Sequence, residues 1–240
     1  NSIGLEATFS ELYEDVIEEH LNCLIIPEKA AVTMAQTLAK SITFDEFNAQ
    51  YLNREGRYEL HDGIVVEMPK PKGQHSIVTG FIMEELILTI IEMGQRGKWT
   101  IPRESIVKSS NGKSGYEPDI IVMDQNAIAA ESRWASESII EKAESVKLIV
   151  EVVSTNWRDD YFKKRADYEE LGIAEYWVVD YAALGGRNFL GNPKEPTLSV
   201  YQLIEGEYQL QQFRGDDPMI YPTFPAFKKT ANQIFRANQE

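Results

Sequence analysis

The apolar residues of this chain follow two rhythms. In "HSIVTGFIMEELILTIIEMGQ" the residues Ile77, Phe81, Ile82, Leu86, Ile90 and Met93 recur at three- and four-residue intervals until Gly94, which predicts a long core helix. Elsewhere the period is two, or the run is unbroken. "WTIPRESIVKSS" alternates like a strand, whereas "DIIVMD" and "KLIVEVVS" are apolar almost throughout, as central strands covered on both faces are. "RYELHDGIVVEM" reads as two short strands turning at Asp62-Gly63, the strongest hairpin dipeptide. "EYWVVDY" reads as a further strand with Trp177 in the core, and "TLSVYQL" and "YQLQQF" flank Glu205-Gly206 as a late hairpin. A helix from about Arg158 to Leu171 stops at Gly172, and "KKTANQIFRAN" closes the pattern with another. Together these predict an α/β (α+β mixed) fold over residues 41–240, a mixed central sheet with helices packed on it. The Gly/Pro-rich "GGRNFLGNPKEP" predicts a mobile loop.

Ahead of this domain, residues 1–40 read as a helical extension, acidic in "ELYEDVIEEH" and then apolar in "LNCLIIPEKAAV". Met34 would be a natural first residue, so residues 1–33 are expected to be an appendage. Thr43 then precedes Glu46 in the S/T-x-x-E arrangement that starts a helix.

Composition narrows the partners. At 240 residues the chain can build one full core. A single cysteine, Cys23, excludes an internal disulfide and fits a reducing compartment, so a cytoplasmic location is expected. "FIMEELILTIIEM" carries Glu84 and Glu85 and is shorter than the roughly 20 apolar residues that span a bilayer, and no membrane partner is expected. The net charge of −14 argues against a protein that coats nucleic acid, since such binding rests on neutralising phosphates. An enzyme that only visits nucleic acid, holding a divalent metal, can still be acidic.

Two acids break the apolar strands. Asp119 stands at the mouth of "DIIVMD" and Glu151 in the middle of "KLIVEVVS". Side chains alternate along a strand, so on neighbouring strands both carboxylates can converge on one point. Buried carboxylates that close together need a cation or a protonated partner. Magnesium, which takes one or two carboxylates plus substrate phosphate, meets that need. On the helix that follows, Asp160, Lys164 and Tyr168 are spaced by four and share a face, with Lys163 and Asp167 beside them. A lysine from this helix could supply positive charge where a transition state becomes negative; spacing leaves both Lys164 and Lys163 open.

"YEPDIIVMD", "LIVEVVS", "DDYFKKRADYEELGIAEYWVVDY" and "YELHDGIVVEMPKPKGQH" together resemble the Uma-two family, placed with the restriction endonucleases of the PD-(D/E)XK nuclease superfamily. "SVYQLIEGEYQLQQF" and "YPTFPAF" are similar to it too, so the resemblance runs from about Ser41 to the C-terminus. It implies a restriction-endonuclease-like fold and metal-dependent phosphodiester hydrolysis with Mg2+ (or Mn2+). It also implies that Asp119 and Glu151 are the metal-holding acids, that Lys164 is the lysine four before Tyr168, and that Glu59 and His75 occupy family positions. Val153 departs from the superfamily, which places a lysine two residues after the second acid.

The expectation is therefore a magnesium- or manganese-dependent endonuclease acting on DNA, with Asp119, Glu151, Lys164, Glu59 and His75 as its site. The alternative is a catalytically inactive nucleic-acid or protein-binding module that keeps the nuclease fold. Cutting both strands of a duplex calls for two sites, which a homodimer would supply. Arg96, Lys98, Arg103, Lys108 and Lys113, with Lys70 and Lys72, could form a basic rim for a duplex backbone, or a solvated edge strand that discourages aggregation.

Overall fold

The computed structural model describes residues 41–51 and 54–237; the expected extension over residues 1–40 lies outside the described residues. The fold opens with helix α1 (Phe44–Tyr51), started by the expected reciprocal cap: Glu46 N donates to Thr43 Oγ1 at 3.2 Å and Thr43 N donates to Glu46 Oε2 at 2.8 Å. Strands β1 (Tyr58–His61) and β2 (Ile64–Glu67) form the first hairpin. Its turn places Asp62 and Gly63 at φ 50° and 83°, the left-handed pair a two-residue turn requires.

Eleven strands make two mixed sheets among the described residues, where the sequence suggested one. The larger runs β11-β10-β9-β8-β6-β3, formed by β3 (Trp99–Thr100), β6 (Ile120–Asp124), β8 (Val146–Val152), β9 (Glu175–Asp180), β10 (Thr197–Ile204) and β11 (Glu207–Phe213). The smaller runs β2-β1-β5-β4-β7, adding β4 (Ile106–Lys108), β5 (Gly115–Tyr116) and β7 (Ile139–Ile140). "WTIPRESIVKSS" is thus split, with β3 in one sheet and β4 in the other.

Helix α2 (Gly73–Glu92) packs on one face of the six-stranded sheet, where Val78, Ile82, Leu86 and Ile90 meet Val122, Val150 and Trp177. Ile77, expected in the core stripe, is 49% exposed, and Val78 takes the buried place. At 20 residues and mean hydropathy 1.3, α2 is long and apolar enough to cross a membrane by length and composition, unlike the shorter span expected; one face of it is nonetheless committed to the protein core. Helix α4 (Ala231–Arg236), capped by Thr230 and Gln233, shares that face.

The opposite face carries the helix that matters most for the site. It begins as a π-helical segment, Asp159–Lys164, and continues as α3 (Arg165–Leu171), ending at Gly172 with φ 94°. This helix carries the chain from β8 to its parallel neighbour β9, a connection that parallel pairing demands. Tyr161 and Tyr168 bury their rings against Ile121, Ile149, Val153 and Tyr176. The segment expected to be a loop contains a helical turn, Arg187–Leu190, whose Leu190 is buried.

Candidate active site

β6 and β8 are antiparallel neighbours in the register Ile120↔Val150 and Ile121↔Ile149. Because side chains alternate, Glu151 leaves β8 on the same face as Ile149 and Val153, toward the α3 side. Asp119 sits just before β6, where its Oδ2 accepts from Val152 N at 2.8 Å. His75, in the first turn of α2, reaches the same oxygen through Nε2 at 3.2 Å. Glu59 comes from β1 in the other sheet and is 1% exposed, not solvent-facing.

Lys164 joins these groups. Its Nζ donates to Glu151 Oε1 and to Glu59 Oε1, each at 3.1 Å, and stands 3.8 Å from Asp160 Oδ1. A π-helical turn widens the spacing of side chains, and here it turns both Asp160 and Lys164 inward. Lys163, the alternative by spacing, points elsewhere and pairs with Asp62 at 2.8 Å and Asp167 at 3.0 Å. Tyr168 OH donates to Glu151 Oε1 at 3.2 Å. Glu59 is further fixed by Glu117 N at 3.1 Å and by His61 Nε2, 2.8 Å from Oε2. Val153 is wholly buried, so the usual lysine position is filled by core and the ammonium arrives from the helix instead.

Charge is unevenly shared. Burial works against ionising Glu59, yet the Lys164 ammonium and the His61 contact hold its carboxyl down to about 2. Burial, only partly offset by Lys164, pushes Glu151 well above the carboxylate range, with Asp119, Asp160 and Glu59 adding repulsion. The same causes raise Asp160 to about 7. Burial disfavours a charged His75, but Asp119 raises it above its ordinary value. Lys164 is likewise held protonated against burial by Glu151, Glu59 and Asp160.

These groups line a cavity of about 310 Å3 whose rim includes Arg57, Lys70 and Lys72. The rest of the expected basic rim is dispersed. Trp99 pairs with Asp124 at the far end of β6, about 17 Å of strand from Asp119, which carries Lys98 and Arg96 away from the acids. Lys108 is bound to Glu141 at 2.7 Å and Arg103 to its neighbour Glu104 at 3.4 Å. β3 is an edge strand, in keeping with the solvated-edge reading for Arg96 and Lys98.

Would a divalent cation fit? Glu59, Asp119, Glu151 and Asp160 share one cavity, and burial with mutual repulsion holds Glu151 and Asp160 toward their protonated forms, so a divalent cation entering there would take the place of those protons. Asp119 uses Oδ2 and Glu151 uses Oε1 for all their hydrogen bonds to described residues, so Asp119 Oδ1 and Glu151 Oε2 keep free lone pairs. Among the described residues no three His, Cys, Asp or Glu side chains form a ready coordination shell. Two hard oxygens with the balance made up by water and phosphate is a magnesium type of site, and the donor set fits.

In the sequence Asp160 is marked only by its spacing, and His61 carries no expectation. The signals were present: Asp160 lies four before Lys164, and Glu59 and His61 alternate onto one face of β1.

A mixed sheet with flanking helices and buried acids around a lysine defines the restriction-endonuclease-like class of nuclease fold. The Uma2 family, described as "Putative restriction endonuclease", matches residues 44–232, and the chain belongs to that family. The crystal structure of a protein from Anabaena variabilis, described as "a putative nuclease belonging to DUF820", has the same fold. It aligns at a TM-score of 0.61 and 18% identity, over 82% of this chain and 98% of that one. No curated protein matches the chain.

Proposed function

We propose that this protein is a Mg2+- or Mn2+-dependent endonuclease that hydrolyses phosphodiester bonds in DNA. The observation that supports this most is the meeting of Glu59, Glu151 and Asp160 around the buried ammonium of Lys164, in a cavity that Asp119 and the basic residues Arg57, Lys70 and Lys72 also line. Asp119 and Glu151 would hold the ion through their free oxygens. When bound, it would supply Lewis-acid neutralisation of the phosphate and an acidified water.

The remaining roles belong to the chain's own groups. Lys164 places a fixed positive charge beside Glu151, where negative charge would build on phosphorus oxygens, and the low-dielectric setting strengthens it. Glu59 is a positioning residue: held by Glu117 N and His61, it fixes Lys164 Nζ. His75 and Val152 N keep Asp119 Oδ2 occupied and leave Oδ1 as the oxygen available to the ion. Arg57, Lys70 and Lys72 provide charge for flanking phosphates. A cytoplasmic homodimer, one site for each strand, completes the proposal.

The test is a cleavage panel of duplex, nicked and single-stranded DNA and RNA with magnesium, manganese or chelator. Parent protein should cut DNA only with metal, and Glu151→Gln, which keeps the side chain's shape, should fold and not cut. Equal cutting by the variant, or indifference to chelator, would overturn the assignment. A scaffold without turnover is the second reading, favoured by the buried Val153; it calls for no cleavage of any substrate and no magnesium-dependent rise in Tm that Glu151→Gln abolishes.

A further inference from the structure

Four strands edge the two sheets among the described residues, and one of them is left open to pairing. β3 and β7 have two residues each, with Lys98 just before β3, and β2 has four and runs into Met68-Pro69. Short length, lysine and proline are devices that keep an edge from pairing with another chain. β11 uses none of them. It has seven residues, Glu207–Phe213, and its register with β10 runs without a bulge from Ile204↔Glu207 to Leu198↔Phe213. Gln209, Leu210, Gln211 and Gln212 are all exposed, Leu210 at 45%. We propose that this edge pairs antiparallel with β11 of a second copy of the chain, about a two-fold axis at Leu210. The inference rests on the homodimer of the reading above and gives it an interface.

The direction of the free backbone groups follows from two contacts. Leu203 N donates to Ala174 O at 2.9 Å, on the β9 side, so Leu203 turns its backbone groups away from β11. Tyr208 is its partner across the pair, and its groups therefore point outward; Tyr208 N donates to Glu169 Oε1 at 2.6 Å, away from β10. By alternation the N–H and C=O of Leu210 and Gln212 point outward as well. Leu210 is the midpoint of the strand. A two-fold there sets Leu210 opposite its own copy as a hydrogen-bonded pair, each N–H donating to the other's C=O. Gln212 N then donates to Tyr208 O of the second copy, while Tyr208 N stays with Glu169.

Side chains and charges suit that register. Gln209 falls opposite Gln211 of the second copy on one face, where the amides can bond to each other, and Leu210 meets Leu210 on the other. Arg214, whose Nε donates to Thr197 Oγ1 at 2.8 Å and which has no carboxylate partner among the described residues, falls opposite the Glu205-Gly206-Glu207 turn. Glu207 lies about 20 Å of strand from its own copy. Two chains of net charge −14 thus meet where opposite charges face each other. The axis also closes the pair, because each β11 edge is used once and the outermost strands of the joined sheet are then the two-residue β3 strands.

Sedimentation velocity on the full chain tests this. Parent protein should be dimeric at tens of micromolar. Leu210→Pro removes only an outward N–H, which an edge strand tolerates, so it should keep the parent's far-UV circular dichroism and raise the dimer's Kd at least about tenfold, the effect of two backbone hydrogen bonds. Leu210→Lys leaves the backbone intact, sets two ammonium groups together on the axis, and should weaken the dimer likewise. In a Cys23→Ser background a short bis-maleimide should join Leu210→Cys copies and leave Gln212→Cys copies apart, since this register holds the latter about 14 Å from each other. A monomeric parent, a dimer that both Leu210 variants leave intact, or joining at Gln212→Cys in place of Leu210→Cys would overturn the interface. The two readings fail separately: metal-dependent cleavage by a monomeric parent sinks the interface and keeps the nuclease. A Leu210-dependent dimer that cuts nothing under any metal sinks the nuclease and keeps the interface.

Discussion

Asp160→Asn should make the cation-free protein more stable at pH 8 and flatten its response to pH. The Asp160 carboxyl is buried 3.8 Å from Lys164 Nζ. Burial is the chief cause that raises it; Lys164 opposes, and Asp119, Glu59 and Asp159 add repulsion, so it moves from 3.8 to about 7. The sign follows from linkage. The unfolded chain gives up this proton before the folded one does, so stability is greatest below about pH 3.8 and falls until the pH passes about 7. At about 1.36 kcal/mol per pH unit, and with the slope falling off as the pH nears 7, the loss between pH 5 and 7 is about 2 kcal/mol. Glu151 and His75, both raised, move stability in the same direction. Glu59 acts oppositely and only in acid: its carboxyl is held down to about 2, and its contribution disappears as pH falls from 4.5 toward that value. The assay is urea denaturation followed by tryptophan fluorescence, in chelator, at pH 5, 6, 7 and 8. Parent protein should lose about 2–4 kcal/mol between pH 5 and 8, and Asp160→Asn should lose at most half as much. Millimolar Mn2+ should restore much of the parent's stability at pH 8 by supplying the missing charge. A parent that holds or gains stability across this range would refute the idea that ionising these crowded, buried acids opposes the fold.

Lys164→Met should destabilise the protein by about 3–5 kcal/mol at pH 7, because Glu59 and Glu151 lose their shared cation, and adding Glu151→Gln should recover part of the loss in urea denaturation. A stable Lys164→Met single variant would show that the ammonium is not the hub of the cluster. Gly115→Ala sets a new Cβ into the Phe44 ring and 3.3 Å from Ile106 Cγ2 in the packing that supports β5. It should cost about 1–3 kcal/mol by overpacking, with Phe44→Leu in the same chain relieving some of it; a neutral single variant would count against that contact.

The sequence by itself determined the pieces whose code is local. Asp62-Gly63 specified the first turn because few residue pairs tolerate positive φ. Glu46 three after Thr43 started α1, Gly172 stopped α3, and the apolar runs of β6 and β8 announced strands covered on both faces. Glu151 stood out for the same reason, as a charge with no local excuse. The helical rhythm of α2 was equally plain, but rhythm alone could not say that Val78 rather than Ile77 faces the sheet. Tertiary structure decided what meets what. Glu59 and Lys164 are 105 residues apart and touch only because β1 of the small sheet and the π-helical start of the β8–β9 crossover close over one end of β6. The same closure buries Asp160, chooses Lys164 over Lys163, and sends Arg96 and Lys98 to the far end of a strand. Local sequence fixes φ and ψ and the face a side chain leaves from. Burial, charge balance and the empty lone pairs of a site arise from long-range packing, which no short stretch encodes.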